Sequence, residues 1–163
     1  MIYKPKKVFS MWDVWAFWHE GTYYLYHLGM GPTPRQGWHG QGVAMATSPD
    51  GVHWNELGLV IPKDDGATGL GSGAVWKAAD FDQTGRFLMN YSTWSEWYIE
   101  SQAIRFAEST DLIHWTKLGE GHEFSSDPRW YKTYPEHEDA RWDCIYAIPR
   151  PGGGLYTTNV RDA

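Results

Sequence analysis

The chain has 163 residues, which suits one domain or two very small ones, and a formal net charge of −6 with its basic residues scattered along the sequence. Aromatic residues make up 17% of it, too many for a disordered chain, and the scattered basic residues disfavour a nucleic-acid surface. No apolar run approaches the roughly 20 residues that span a bilayer, and none fit for a signal peptide follows the basic start. The single cysteine, Cys144, excludes an internal disulfide framework, so a cytoplasmic location is expected, with a disulfide-free secreted protein as the alternative.

Short runs of aromatic and β-branched residues, separated by turn residues, follow one another along the chain. Runs of this length and spacing predict an all-β sandwich, barrel or propeller, and no helix-period run exceeds two turns. In chain order the predicted strands are Val14–His19, Thr22–His27, Gly42–Thr47, Val52–Leu57, Gly73–Ala78, Arg86–Ser92, Ala103–Ser109, Ile113–Leu118, Trp142–Ile148 and Gly154–Val160.

An internal repeat selects among these architectures. Residues 43–58 align with residues 104–119 at an offset of 61, and seven of the sixteen positions are identical. The shared unit reads Ala-x-Ser-x-Asp-x-x-His-Trp-x-x-Leu-Gly, and a period of this size is typical of propeller blades. Turns and packing between blades are expected to account for the repeated polar and Trp positions. These are Asp50, His53, Trp54, Asp111, His114 and Trp115.

The strand count predicts about two and a half four-stranded blades within one domain, residues 1–163. Blade 1 is expected at about 12–58, blade 2 at about 71–119, and half of blade 3 at about 140–163. Two copies would supply five blades, so one hypothesis is a two-fold homodimer that closes the ring. The alternatives are a longer natural chain and a fragment that folds only by self-association.

The segments that open the predicted blades resemble those of the five-bladed β-propeller glycoside hydrolases of families 32, 43 and 68. These segments are Met11–Phe17, Gly71–Trp76 and Ala140–Cys144, and the Ser-Pro-Asp-Gly-Val-His-Trp and Ser-Thr-Asp-Leu-Ile-His-Trp units add to the likeness. The resemblance covers nearly the whole chain, but only the N-terminal half of such a propeller. It implies a central funnel that binds carbohydrate and a glycoside hydrolase activity that depends on paired carboxylates.

By position, the resemblance implies catalytic roles for two aspartates. Asp13 would be the nucleophile or base, with a turn or strand cap as the structural alternative, and Asp143 would stabilise the transition state. The family's Arg-Asp-Pro is replaced here by Arg-Trp-Asp-Cys at 141–144. Asp127, which precedes a proline, is a rival to Asp143, although a loop turn is the favoured interpretation.

The catalytic acid of the family is a glutamate on the next blade, and no residue of this chain matches it. Glu136, Glu138 and Asp139 precede the third blade, where they would either reach a funnel or form a solvated acidic loop. A carboxylate from a partner copy could also supply the acid. The alternative function is therefore a non-catalytic carbohydrate-binding or self-assembling half-propeller.

Aromatic rings and nearby polar groups are the other candidates for carbohydrate contacts, because rings stack on sugars and polar groups bind hydroxyls. Packing is the alternative for the aromatic ones. No organic cofactor is implied, and although some relatives hold calcium near the funnel axis, no ligand motif for it occurs here. The Gly-rich run 69–73 is a poor phosphate loop because no helix follows it. The candidate binding residues are Trp12, Trp15, Trp38, His39, Ser72, Trp76, Trp94 and Arg141.

Overall fold

The computed structural model divides the chain into two compact units, Met1–Asp65 and Gly66–Ala163. At 67, 68, 94, 95, 149 and 155–159 the structure describes the backbone alone. The described residues are 3–31, 41–63, 67–95, 102–119, 121–133, 136–137, 142–143, 145–150 and 155–159.

The first unit is one antiparallel sheet of four strands in the order β1-β2-β3-β4. The strands are β1 (Met11–His19), β2 (Thr22–Gly29), β3 (Gly42–Ser48) and β4 (Asn55–Pro62). Glu20 and Gly21 connect β1 to β2 with φ of 46° and 80°, the left-handed conformations that a two-residue hairpin turn requires.

The second unit contains a second sheet of four antiparallel strands and a separate hairpin. The sheet order is β5-β6-β7-β8, a short helix α1 lies between β5 and β6, and β9 contacts β5. The elements are β5 (Ala67–Lys77), α1 (Phe81–Thr84), β6 (Phe87–Ser95), β7 (Ala103–Ser109), β8 (Thr116–Lys117), β9 (Ile145–Pro149) and β10 (Leu155–Asn159).

Each four-stranded sheet is a meander in which consecutive strands pair, as expected of a propeller blade. The all-β prediction is confirmed, as are two blades followed by a two-stranded hairpin. No helix among the described residues has the length and apolar character needed to cross a membrane.

The sequence repeat forms the same turn twice. In the first copy the Ser48 hydroxyl accepts a hydrogen bond from the Gly51 N–H at 2.8 Å, and Asp50 Oδ1 accepts one from the His53 N–H at 2.8 Å. The second copy repeats these bonds one blade later, between the corresponding residues, at 2.9 and 2.8 Å. The structural interpretation of the repeated aspartates is therefore confirmed.

The same turns explain why the outer strands begin later than predicted. The strand expected from Val52 begins at Asn55, and the one expected from Ile113 begins at Thr116. Asp50 Oδ1 accepts a hydrogen bond from the Val52 N–H, and Asp111 Oδ1 accepts one from the Ile113 N–H. These bonds hold the backbone in a turn instead of a strand ladder.

The segment before β1 packs on the first sheet. The backbone N–H groups of Lys6 and Lys7 each donate to the Glu56 carboxylate at 2.7 Å. The Tyr3 ring lies 5.8 Å from the Trp54 ring. Trp54 thus has a packing partner within its own unit, and its expected packing between blades stays a prediction.

Candidate functional site

A bulge in β5 shapes the candidate site of the second unit. Leu70 pairs with Thr93 and Gly73 pairs with Tyr91, so residues 71–72 together oppose the single residue Ser92. Two residues opposite one make the strand bend locally and change the direction of its side chains. The bulge therefore brings the backbone of β5 close to the Ser92 side chain.

The Ser92 hydroxyl donates a hydrogen bond to Asp143 Oδ1 at 2.5 Å. Ser92 is completely buried, and Asp143 is half-buried. A Cβ at Gly71 would overlap the Ser92 hydroxyl oxygen and lie 2.7 Å from Asp143 Oδ1. A hydrogen bond to a carboxylate is among the stronger kinds, and only glycine at 71 leaves room for it in this arrangement.

Asn90, two residues before Ser92 on the same face of β6, fixes the start of β9. Its Nδ2 donates to the Ile145 carbonyl at 2.8 Å, and its Oδ1 accepts from the Ala74 N–H at 3.1 Å. Asn90 is 1% exposed, so these bonds satisfy amide groups that would be costly to bury alone. The side chain links three strands immediately beside Asp143.

Trp142 anchors the chain on the other side of Asp143. Its backbone N–H donates to Gln102 Oε1 at 2.7 Å, and its indole N–H donates to the Phe124 carbonyl at 2.9 Å. The indole is buried and packs edge-on against the rings of Phe124 and Tyr131, at 5.1 and 4.9 Å. Asp143 thus lies between two buried anchors, which restricts where its carboxylate can go.

Asp13 lies in the first unit, at a bulge of β1. Trp12 pairs with Leu28 and Val14 pairs with His27, so Asp13 is the extra residue, and it is exposed. Bulges of this kind are over-represented beside active sites, where they redirect a side chain. The position is compatible with the predicted nucleophile or base, and that role stays a prediction.

The predicted Trp ligands differ in exposure. Trp12 is 36% exposed, whereas Trp15 is 8% exposed and stacks on Tyr26 at 6.2 Å. Trp76 is 6% exposed and meets Phe106 edge-on at 6.3 Å. This burial favours core packing for Trp15 and Trp76 over contact with a ligand, and Trp12 is the most exposed of these three rings.

Among the remaining predicted binding residues, the structure describes the side chain of Ser72 alone. Ser72 is half-buried and follows Gly71 within the β5 bulge, where residues 71–72 lie opposite Ser92 in the sheet. The other predicted residues lie outside the described side chains. These are Trp38, His39, Trp94 and Arg141.

Asp127, the rival to Asp143, occupies a surface turn. Its carboxylate pairs with the Arg129 guanidinium at 2.5 Å, and its carbonyl accepts from the Trp130 and Tyr131 N–H groups at 3.0 Å. The hydrogen bond from Arg129 also lowers the pKa of Asp127. The loop-turn interpretation is therefore confirmed.

The acidic segment before the third blade is described only at Glu136, which is exposed and accepts a hydrogen bond from Thr133 Oγ1 at 3.2 Å. Glu138, Asp139 and Cys144 lie outside the described residues. Within the described part of the chain, no three His, Cys, Asp or Glu side chains cluster as metal ligands.

Sequence reasoning missed Gly71, Asn90 and Ser92, the residues that hold Asp143 in place. A signal for two of them exists, since Asn90 and Ser92 are polar residues spaced by two in a strand and must share one face. A polar face on a central strand indicates that another segment satisfies it. Which segment does so could not be read from the sequence.

No protein-family model and no curated protein matches the sequence. Solved structures do match its fold. An exo-β-1,3-galactanase from Clostridium thermocellum is 17% identical with a TM-score of 0.63, and the match covers 87% of this chain and 30% of that one. An α-L-arabinanase from Cellvibrio cellulosa, complexed with arabinohexaose, is 17% identical with a TM-score of 0.59, over 93% and 44% of the two chains.

A fructofuranosidase from Schwanniomyces occidentalis is 25% identical with a TM-score of 0.55, over 71% of this chain and 24% of that one. A family 43 β-1,3-galactosidase matches at 15% identity and a TM-score of 0.59, over 87% and 28%. The chain spans about three tenths of the length of the galactosidase and the galactanase. Over the part it spans, the chain has the fold of the β-propeller glycoside hydrolases of family 43 and of the similar fructofuranosidases.

Proposed function

We propose that the protein is carbohydrate-active and that it binds or hydrolyses a glycoside at a site that contains Asp143. The observation that carries this proposal is the half-buried Asp143 carboxylate, which accepts a hydrogen bond from Ser92 between two buried anchors. The fold shared with glycoside hydrolases supports it.

The chemistry of glycoside cleavage gives Asp143 its role. The transition state resembles an oxocarbenium ion, and a fixed carboxylate near the ring stabilises that positive charge or binds the hydroxyls beside it. Asp13 is proposed as the nucleophile or base. Its exposed position at the β1 bulge is compatible with contact to a substrate in a central funnel.

The similar solved structures define the substrates to try first. They include enzymes of β-1,3-linked galactose, of arabinan and of fructofuranosides. A panel of 4-nitrophenyl β-D-galactopyranoside and α-L-arabinofuranoside, with sucrose, β-1,3-galactan and arabinan, covers both ring sizes.

The test compares turnover of this panel by the wild type and three Asp→Asn variants. Asp143→Asn and Asp13→Asn are expected to abolish most turnover while the far-ultraviolet circular dichroism spectrum is retained. Asp127→Asn is the control, because its carboxylate sits in a surface turn. Equal turnover by all four proteins would refute the proposed roles of Asp13 and Asp143.

A second candidate function is carbohydrate binding without hydrolysis. It is favoured by Glu136, the one acidic residue described just before the third blade, because its side chain is exposed. A catalytic acid works inside an enclosed site, and the exposed position of Glu136 does not provide one. Sugar affinity without turnover in the same panel would support this second function.

A homodimer is proposed as the state in which the hairpin β9–β10 is covered. Tyr146 and Ile148 are 58% and 47% exposed, while Ile145 and Ala147 on the opposite face are buried. Association through the exposed apolar side chains would remove them from water. Light scattering is expected to give twice 18.7 kDa, and a stable monomer at micromolar concentration would contradict the dimer.

A further inference from the structure

We infer that Ser92 is a positioning residue for Asp143, and that Gly71 is required to leave room for the contact between them. The hydroxyl of Ser92 selects one orientation of the Asp143 carboxylate. Nothing in the sequence resemblance assigns a role to either residue. The functional meaning of the contact rests on the proposed role of Asp143, but its geometric part can be tested separately.

The first argument is the cost of placing a hydroxyl at this position. Ser92 lies on β6, between β5 and β7, and is 0% exposed. A buried hydroxyl without a hydrogen bond is destabilising, and an apolar side chain on a central strand would avoid that cost. The hydroxyl is satisfied by Asp143, 51 residues away in the chain, so the contact is long-range.

The second argument is that the facing strand is adapted to the contact. The β5 bulge sets Gly71 against Ser92, and any Cβ there would overlap the hydroxyl oxygen and crowd Asp143 Oδ1 at 2.7 Å. Any side chain at position 71 would therefore displace Ser92 or Asp143. The β5 bulge, Gly71 and Ser92 together shape the space that the Asp143 carboxylate occupies.

The third argument is that the neighbouring polar residue acts on the same segment. The Asn90 side-chain amide donates a hydrogen bond to the carbonyl of Ile145, which lies two residues beyond Asp143. Asn90 thus fixes the backbone, and Ser92 fixes the side chain. An aspartate side chain has three χ1 wells, and a hydrogen bond to one oxygen favours one of them. Orientation before the substrate arrives lowers the cost of reaching the transition state.

The experiment measures the Asp143 side-chain rotamer in the full chain. Protein labelled with ¹³C- and ¹⁵N-aspartate gives the three-bond couplings from the Asp143 Cγ to its own backbone nitrogen and carbonyl carbon, which report χ1. We expect one rotamer in the wild type and averaged couplings in Ser92→Ala. Ser92→Thr keeps the hydroxyl and is expected to restore the single rotamer.

The matched control is Ser109→Ala, because the Ser109 hydroxyl also donates to an aspartate, Asp111, at 3.0 Å in a turn of the same sheet. It should leave the Asp143 couplings unchanged. If Ser92→Ala fails to fold, Ser92→Cys preserves the volume with a weaker donor and should also broaden the rotamer distribution. An Asp143 rotamer that is equally ordered without the Ser92 hydroxyl would overturn the inference, whatever the activity.

Kinetics separate this inference from the proposed function. On a glycoside that the wild type cleaves, Ser92→Ala should lower kcat on the order of tenfold, with a smaller change in KM. If no sugar is bound or cleaved but Ser92→Ala still disorders the Asp143 rotamer, the proposed function fails and Ser92 still positions Asp143. If cleavage occurs and the rotamer is unaffected, the positioning role fails alone.

Discussion

Gly71 lies directly against Ser92, so closely that a Cβ on residue 71 would overlap the serine hydroxyl oxygen. The same bulge brings Gly73 against the backbone carbonyl of Asn90. The two glycines are required for different reasons, because one faces a movable side chain and the other faces the backbone of the paired strand. This difference can be measured.

Gly71→Ala is expected to perturb the carboxylate site while the sheet stays folded. The overlapping atoms are the ends of Ser92 and Asp143, which can rotate away, so the cost should be about 1–3 kcal/mol of unfolding free energy. Urea unfolding measures that cost, and the Asp143 couplings measure the displacement. Unchanged couplings would contradict the account of Gly71.

Gly73→Ala provides the comparison. Its Cβ would meet the Asn90 carbonyl, so β5 and β6 must separate at a paired position. We expect a larger loss of unfolding free energy than for Gly71→Ala, with loss of amide protection along β6. Equal stability of the two variants would show that the bulge geometry has been misassigned.

Asn90→Ala should destabilise the second unit by about 2–3 kcal/mol, since it leaves the buried Ala74 N–H and Ile145 carbonyl without their partner. Chemical denaturation of the purified variant measures the effect. Asn55→Ala, at an exposed position of β4, is the control and should change the unfolding free energy by less than about 0.5 kcal/mol. A cost at Asn90 no greater than at Asn55 would argue against the strand link.

The repeated turns should lose stability in acid. Burial tends to raise the pKa of Asp111, but hydrogen bonds from the His114 side chain and backbone outweigh this and hold the pKa well below its usual range. A hydrogen bond from His53 has the same effect on the pKa of Asp50. Because the folded pKa values are depressed, the stabilisation is complete above about pH 4, the unfolded pKa, and is lost as the pH falls further.

Asp111→Asn therefore should flatten the decline of unfolding free energy between about pH 4 and pH 2. Urea unfolding at several pH values in this window measures the slope. Asp82→Asn, in the exposed first turn of α1, is the control and should keep the wild-type slope. A slope in Asp111→Asn that matches the wild type would contradict the assignment.

The free energy of unfolding should also depend on pH near neutrality, because of His27 in the first unit. Burial lowers the pKa of His27, and a hydrogen bond to the Leu28 carbonyl and the charge of Glu56 oppose this only in part. The ring is completely buried beneath Tyr3, whose own pKa is raised to about 12 by burial and by Glu56. The folded state therefore holds His27 neutral where the unfolded chain would protonate it.

Stability from the neutral ring is complete above about pH 6.5, the unfolded pKa, and is lost as the pH falls below it. Unfolding free energy should thus decline from pH 7.5 to pH 5.5, and His27→Gln should reduce the decline. His122→Gln, at an exposed position, is the comparison and should decline like the wild type. An unchanged slope in His27→Gln would refute the assignment.

Much of the fold follows from local signals in the sequence. The ten strands were predicted because turn residues such as those at Ser48–Gly51 interrupt short β-forming runs. The outer strands were predicted to begin too early. The Ser48 and Asp50 side chains accept hydrogen bonds from the N–H groups of residues 51–53 and hold these residues in a turn, so they do not join the strand ladder.

The site was predicted less completely. Resemblance selected Asp143, but the groups that hold it, Ser92 and Asn90, lie more than fifty residues earlier in the chain. The β5 bulge that allows the contact depends on a register shift, which strand periodicity does not encode. Trp15 and Trp76 are buried, whereas Trp12 is more exposed. The sequence could not predict this difference among three residues of the same type.

The most direct test of the central claim is the affinity of the protein for a carbohydrate, with and without the Asp143 carboxylate. Isothermal titration calorimetry with arabinohexaose and with a β-1,3-galactooligosaccharide would compare the wild type, Asp143→Asn and Asp127→Asn. The account predicts measurable binding of at least one of these sugars, a loss of about tenfold or more in Asp143→Asn, and unchanged affinity in Asp127→Asn. Binding that is equally strong in Asp143→Asn, or no binding of either sugar by the folded wild type, would contradict it.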